Sequence, residues 1–140
     1  MAESNNTENM RVCAGACHCG SVRFEVTIPT RIKVSHCNCS VCKQTGFVHL
    51  IVPRSRFRLL AGESELVEYR FNTRIANHLF CRNCGIKSFY IPRSHPEDYS
   101  VNLNCVELHE GIEVRQSSFD GKNWRKNISG LLESDMLNEN

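Results

Sequence analysis

Residues 16–28 read ACHCGSVRFEVTI, and the second half of that stretch decides the fold class. Val22, Phe24, Val26 and Ile28 are interleaved with Arg23, Glu25 and Thr27, a period of two that puts the apolar set on one face. A half-buried strand is expected. The same pattern extends to Ile32 and Val34, to Phe47 through Val52, to Val67, Tyr69 and Phe71, to Tyr99, Val101, Leu103 and Cys105, and to Ile112 and Val114. Six or more strands emerge, punctuated by Gly62, the Pro92 to Pro96 stretch, Gly111 and the Asp120-Gly121 pair, with no sustained 3.6-residue period. The domain is therefore expected to be mainly β and antiparallel, with at most short helical turns near Cys42 and the C-terminus.

The first half of the stretch carries the chemistry. Nine cysteines occur in 140 residues, and seven fall in tight clusters: Cys17 and Cys19, then Cys37, Cys39 and Cys42, then Cys81 and Cys84. The count is odd and the sequence MAESNNTENMR lacks the features of a signal peptide, so reduced thiols and a cytosolic or nuclear location are expected. In an extended chain, residues i and i+2 face the same side, so a CxC pair can turn two sulfurs to one ion. In CxxC followed by Gly85, a tight turn brings two thiolates together, and glycine tolerates the backbone such turns demand.

Structural zinc sites close with four protein ligands, whereas catalytic ones keep three and leave a position open. Seven clustered cysteines divide as four plus three. The simplest partition sets Cys17, Cys19, Cys81 and Cys84 around a structural zinc and Cys37, Cys39 and Cys42 around a second, open one: two ions per chain. Cys42 closing with His36, His18, Cys13 or Cys105 as an inert four-ligand site is the alternative. Cys13 and Cys105 read as buried thiols, and His18 and His36 as neighbours of ligands. His49, His78, His95 and His109 show no paired spacing and read as structural or solvated. Trp124 reads as a packing anchor.

Composition narrows the function classes. Seventeen basic against 15 acidic residues give a net charge of +2, with no basic stripe, which argues against nucleic acid as a partner. No apolar run approaches the roughly 20 residues that span a bilayer, so no membrane partner is expected. Protein partners are left unknown. Residues 1–11 and 128–140 are polar and read as tails, the latter with at most a short helix, around a single folded domain over 12–127.

The segments CHCGSVRFEV, HCNCSVCK, HLFCRNCG and SFYIPRSHP together resemble the glutathione-dependent formaldehyde-activating enzyme family, over residues 12–127. Within it, HLIVPRSRFRLLAG, YRFNT, FYIPRSHP, Cys105 and FDGKNW look like the centromere protein V branch. The resemblance implies a β fold of the kind called Mss4-like, and the same division of cysteines between two zinc ions. It also implies a carbon-sulfur lyase of the S-(hydroxymethyl)glutathione synthase type, with Cys37, Cys39 and Cys42 as its catalytic cysteines and glutathione or another small thiol as substrate. Family members often carry a basic pair where this chain has Lys43 followed by Gln44. Candidate contacts for glutathione carboxylates are Lys43, His49, Arg74 and Arg93. The alternative function is a noncatalytic, zinc-stabilised module that binds protein partners.

Overall fold

The alternating stretch forms the centre of a small sheet in the computed structural model, which describes residues 9–133 and 136–139. Strands β1 (Met10–Ala16), β2 (Arg23–Pro29) and β5 (Phe57–Ala61) lie in the order β1-β2-β5. The second sheet has seven strands in the order β10-β3-β4-β9-β8-β7-β6. They are β3 (Arg31–Cys37), β4 (Val48–Val52), β6 (Leu66–Tyr69), β7 (Asn77–Cys81), β8 (Phe89–Ile91), β9 (Tyr99–Asn102) and β10 (Glu113–Phe119). Every pairing is antiparallel except β10 against β3, which is parallel. A parallel neighbour needs a long crossover, and here the whole domain between Cys37 and Glu113 supplies it. No helix among the described residues is long and apolar enough to cross a membrane.

Between the sheets sit Val22, Phe24, Val26 and Ile28, all fully buried, with Ile32, Val34, Leu50, Val52, Phe89 and Val101. The expected apolar face of β2 is thus the core face. Phe24 stacks on Phe57 at 5.3 Å and meets Phe89 edge-on at 5.9 Å, while Phe57 stacks on Tyr99 at 4.5 Å. Such aromatic pairs add to the area they bury. Gly15 on β1 lies directly under the Phe24 ring, and a side chain there would collide with it.

Several local expectations change. The Tyr99 to Cys105 stretch leaves the sheet after Asn102 and turns through a 3-10 segment, Leu103–Cys105. Phe71 lies beyond the end of β6. The N-terminal tail enters β1 already at Met10, while its residues 1–8 lie outside the described residues. Two α-helices are present among the described residues, both at places where the sequence allowed helix: α1 (Ser40–Thr45) at Cys42, and α2 (Trp124–Glu133), which begins before residue 128 and runs on into the segment read as tail.

The C-terminal segment is built into the fold. Asn138 is buried, accepts a hydrogen bond from the Lys33 N–H at 2.7 Å, and donates to the carbonyls of Lys33 at 3.0 Å and Ile51 at 2.9 Å. One side chain thereby satisfies backbone groups of β3 and β4 that no strand pairs. Asn138→Ala leaves the Lys33 N–H and carbonyl without this partner, while the Ile51 carbonyl keeps the backbone N–H of residue 138 at 2.9 Å; buried polar groups without partners cost about 1–3 kcal/mol each. Urea unfolding should show a loss of about 2–4 kcal/mol with an unchanged m-value.

Candidate metal centres and the cavity between them

Four sulfurs converge where the two sheets meet. The turn between β1 and β2 carries Cys17 and Cys19, while Cys81 ends β7 and Cys84 lies in the turn that follows it. All four sulfurs lie within 4.8 Å of one another, with Cys17 to Cys19 and Cys19 to Cys81 both at 3.7 Å. A tetrahedral ion with metal-sulfur bonds near 2.3 Å sets sulfurs about 3.8 Å apart, so the spacing fits. Backbone N–H groups of Val22 and Asn83 donate to the sulfurs of Cys17 and Cys81 at 3.3 and 3.4 Å, and Asn83 also donates to Ser21 across the two turns at 3.2 Å. Gly85 has a φ of 76°, a conformation that glycine adopts without strain.

The CxC pair of this cluster is not extended, as the sequence pattern implied. Gly20 N–H donates to the Cys17 carbonyl at 3.2 Å and closes a turn, a shape much like that of the second CxxC, where Gly85 N–H donates to the Cys81 carbonyl at 2.8 Å.

The second cluster forms locally. Cys37 ends β3, Cys39 sits in extended conformation before α1, and Cys42 lies in the helix's first turn, with the Lys43 N–H donating to the Cys39 carbonyl at 2.9 Å. The chain reversal gathers the three sulfurs within 4.8 Å. Hydrogen bonds from the Cys37 and Cys42 thiols hold the Cys39 sulfur well below the ordinary thiol range, and the same shared protons push Cys42 up. Deprotonating all three sulfurs would call for a cation beside them, and the donor set could hold a soft or borderline one. Neither Cys13, Cys105, His18 nor His36 joins either cluster among the described residues. Cys13 is fully buried, and burial pushes the half-buried Cys105 thiol up to about 11.

The segment after β10 braces the second cluster. Asn38 turns away from the sulfurs, donates to the Asp120 carboxylate at 2.9 Å and accepts from the Lys122 N–H at 3.1 Å. Those bonds press Gly121 against the cysteines: a Cβ there would lie 2.5 Å from the Cys37 sulfur.

Cys37, Cys39 and Cys42 open on a cavity of about 690 Å³, within the usual range for small-molecule sites. Its walls come from five places: Ser35, His49 and Ile51 on β3 and β4; Phe71, Asn72, Thr73 and Ala76 after β6; His78 and Tyr90 on β7 and β8; Pro92, Arg93 and Ser94; and Lys122 through Lys126. Four lining residues are cationic, Arg93, Lys122, Arg125 and Lys126, and no acidic residue lines it among those described. The Arg93 guanidinium lies 3.5 Å over the Trp124 ring centroid, and its buried Nε has no partner among the described residues.

Of the candidate carboxylate contacts, only Arg93 stands at the cavity as an available cation. Lys43 and Arg74 are exposed and do not line it. His49 does line it but is buried, and burial, together with the nearby Lys87 charge, pushes it down to about 3, so it is neutral. Its Nδ1 meets the Tyr90 hydroxyl at 3.0 Å and Ser100 at 3.2 Å, while Nε2 has no partner. His78, unremarkable in sequence, is also in the wall, and so is Trp124.

A small, mainly antiparallel β domain with one four-thiol cluster at its seam and one three-thiol cluster facing a cation-lined cavity defines a class of proteins whose clustered cysteines could hold metal ions. The glutathione-dependent formaldehyde-activating enzyme family profile matches residues 12–122, and the chain belongs to that family. A Penicillium rubens protein named for the family is 35% identical over 111 residues, which are 75% of this chain and 57% of that protein. One from Emericella nidulans, similarly named, is 32% identical over 101 residues, 68% of this chain and 50% of its own. The chain thus spans about half the length of the curated relatives it matches. A crystal structure of a Rhodobacter sphaeroides protein superposes with a TM-score of 0.63 at 35% identity, over 74% of this chain and 99% of that one.

Gly121→Ala should leave the domain folded and disturb the three-thiol cluster alone. Groups packed behind metal ligands typically govern affinity by 10- to 100-fold. In a cobalt(II) titration followed by thiolate charge-transfer absorption, one of two sites should weaken by about tenfold or more; two unchanged sites would show that Gly121 does not support the cluster.

Proposed function

We propose that the protein is a zinc-dependent carbon-sulfur lyase that joins glutathione to formaldehyde as S-hydroxymethylglutathione and cleaves the same adduct in reverse. What supports this most is the three-sulfur cluster at a cavity whose only charged lining residues, among those described, are cations. Glutathione brings a thiol and two carboxylates, and both kinds of group find counterparts there. Cys17, Cys19, Cys81 and Cys84 would hold a structural zinc, and Cys37, Cys39 and Cys42 a second one with a position left for the substrate. What that second zinc supplies when bound is a lowered pKa for the incoming thiol, so that a thiolate is available at neutral pH.

The remaining work falls to the chain. Arg93, flattened on Trp124 with an unpaired Nε, is shaped to take a carboxylate, since a planar guanidinium binds it with two parallel bonds. Lys122, Arg125 and Lys126 supply positive potential at the rim. Asn72 and Thr73 offer hydrogen bonds for a peptide backbone. Fixing the thiol's carrier at two points leaves little freedom to its sulfur, which lowers the entropic part of the barrier.

Two cysteine variants separate the two clusters. Cys81→Ser should lose the zinc that ties distant strands and much of the cooperative melting transition with it. Cys39→Ala should lose one zinc equivalent and thiol binding while melting nearly as before, because its cluster joins residues already close in sequence. A collapse as severe as that of Cys81→Ser would instead mark the second cluster as structural.

Exchange NMR of glutathione with formaldehyde should show faster adduct formation with the protein than with its Cys39→Ala variant. The advantage should widen as pH falls below the free thiol value of about 8.5, where uncatalysed thiolate becomes scarce. Equal rates in both samples would rule out catalysis and favour a noncatalytic binding module.

A further inference from the structure

His78 is the best-defined donor in the cavity wall. Its ring is sandwiched between Phe71, at 5.4 Å and 22°, and Tyr90, at 5.0 Å and 12°, so its plane is fixed. Its Nδ1 lies 2.6 Å from the Nζ of Lys87. Lys87 is buried, with Nζ 3.9 Å from the Tyr90 ring centroid and 5.0 Å from that of Phe47. Burial lowers it to about 8, with the fields of Cys42, Cys39 and Cys37 acting in the opposite sense. Two aromatic faces at these distances are an environment that favours an ammonium.

An ammonium has three donors and no acceptor. Nδ1 of His78 must therefore accept, and the neutral ring carries its proton on Nε2. Burial and the Lys87 charge, in that order, push the imidazole down to about 4, which keeps it in that single form. With Nδ1 engaged inside the protein, Nε2–H is the polar group that His78 has left for the cavity it lines.

We propose, resting on the activity proposed above, that His78 is a catalytic residue on the oxygen side of the reaction, binding the aldehyde oxygen through Nε2–H, and that Lys87 is the positioning residue that fixes its tautomer. As the thiolate sulfur forms the bond to the aldehyde carbon, the π pair of the C=O bond moves onto oxygen. That oxygen takes the Nε2 proton, and the Lys87 ammonium passes one proton to Nδ1. After release of the adduct solvent returns a proton to Nε2 and Nδ1 passes its proton back to the Lys87 amine, which restores the starting tautomer and balances the thiol proton lost on binding. In reverse the same pair removes the hydroxymethyl proton. A donor whose ring plane is already fixed needs little reorganisation as charge develops on the oxygen.

The test combines tautomer, binding and rate in the zinc-loaded protein. In 15N imidazole NMR between pH 6 and 7.5, His78 should show a protonated Nε2 and a bare Nδ1. Lys87→Met should mix the tautomers while the zinc content stays at two. Because His78→Phe alone would strand a buried cation, the double variant His78→Phe/Lys87→Met removes both groups and retains ring stacking. It should bind glutathione in a cobalt-loaded sample as the parent does, yet lose about 100-fold of the rate enhancement. His78→Gln, whose amide can donate but not release a proton, should fall between. A protonated Nδ1 in the parent, or full enhancement in the double variant, would overturn the assignment to His78 while leaving the lyase activity standing. No enhancement in the parent would overturn both.

Discussion

The ring of Phe24 sits at the one place where the two sheets must agree on their distance. It rests on Gly15 from below, stacks on Phe57 and meets the edge of Phe89, so β1, β5 and β8 are all positioned against a single rigid body. Protein interiors tolerate little slack. With that spacing set, the β1–β2 and β7–β8 turns bring Cys17 and Cys19 within reach of Cys81, 62 residues beyond Cys19. Neither the four-sulfur cluster nor the cavity walls on β7 and β8 would assemble if the sheets slid relative to one another.

The two clusters share a ligand type and differ in everything else. One bridges turns from different sheets and is lined by backbone N–H donors, an arrangement suited to holding a cation and excluding other partners. The other lies within six residues of chain, faces a cavity, and depends on a neighbour, the Asp120-Gly121 turn, for its shape. Around it the protein divides its charges: cations at the rim, where a carboxylate would arrive, and neutral imidazoles in the depth, where His49 and His78 are kept uncharged by burial.

The sequence makes half of this legible. The period-two segments around Val22 to Ile28 and Phe47 to Val52 are visible because one face of each is apolar throughout. Strands β7 and β8 escape notice because their buried positions include Asn77 and His78, and Ser88 precedes β8; buried polar residues break the pattern. The cysteine grouping follows from spacing, since the ligands of each turn are local. The cavity wall does not, because Phe71 to Thr73, Arg93 and Trp124 come from segments with no periodicity and meet only through the sheet order. Asn138 is equally hidden: a polar residue near a chain end reads as solvated, and its burial depends on unpaired backbone groups of two distant strands.

The parallel pairing of β10 with β3 has a consequence for how the molecule is made. Synthesis proceeds from the N-terminus, so Asn38 leaves the ribosome 82 residues ahead of Asp120 and Lys33 leaves 105 residues ahead of Asn138. Through that interval β3 is an unprotected edge, and the three reactive sulfurs beside it have no wall over them. Long-range pairing of this kind slows folding and prolongs exposure to wrong partners. The nascent chain thus passes through a state in which the three thiols are its least shielded, and the segments that hold Asp120 and Asn138, made well after β3, are the ones that end it.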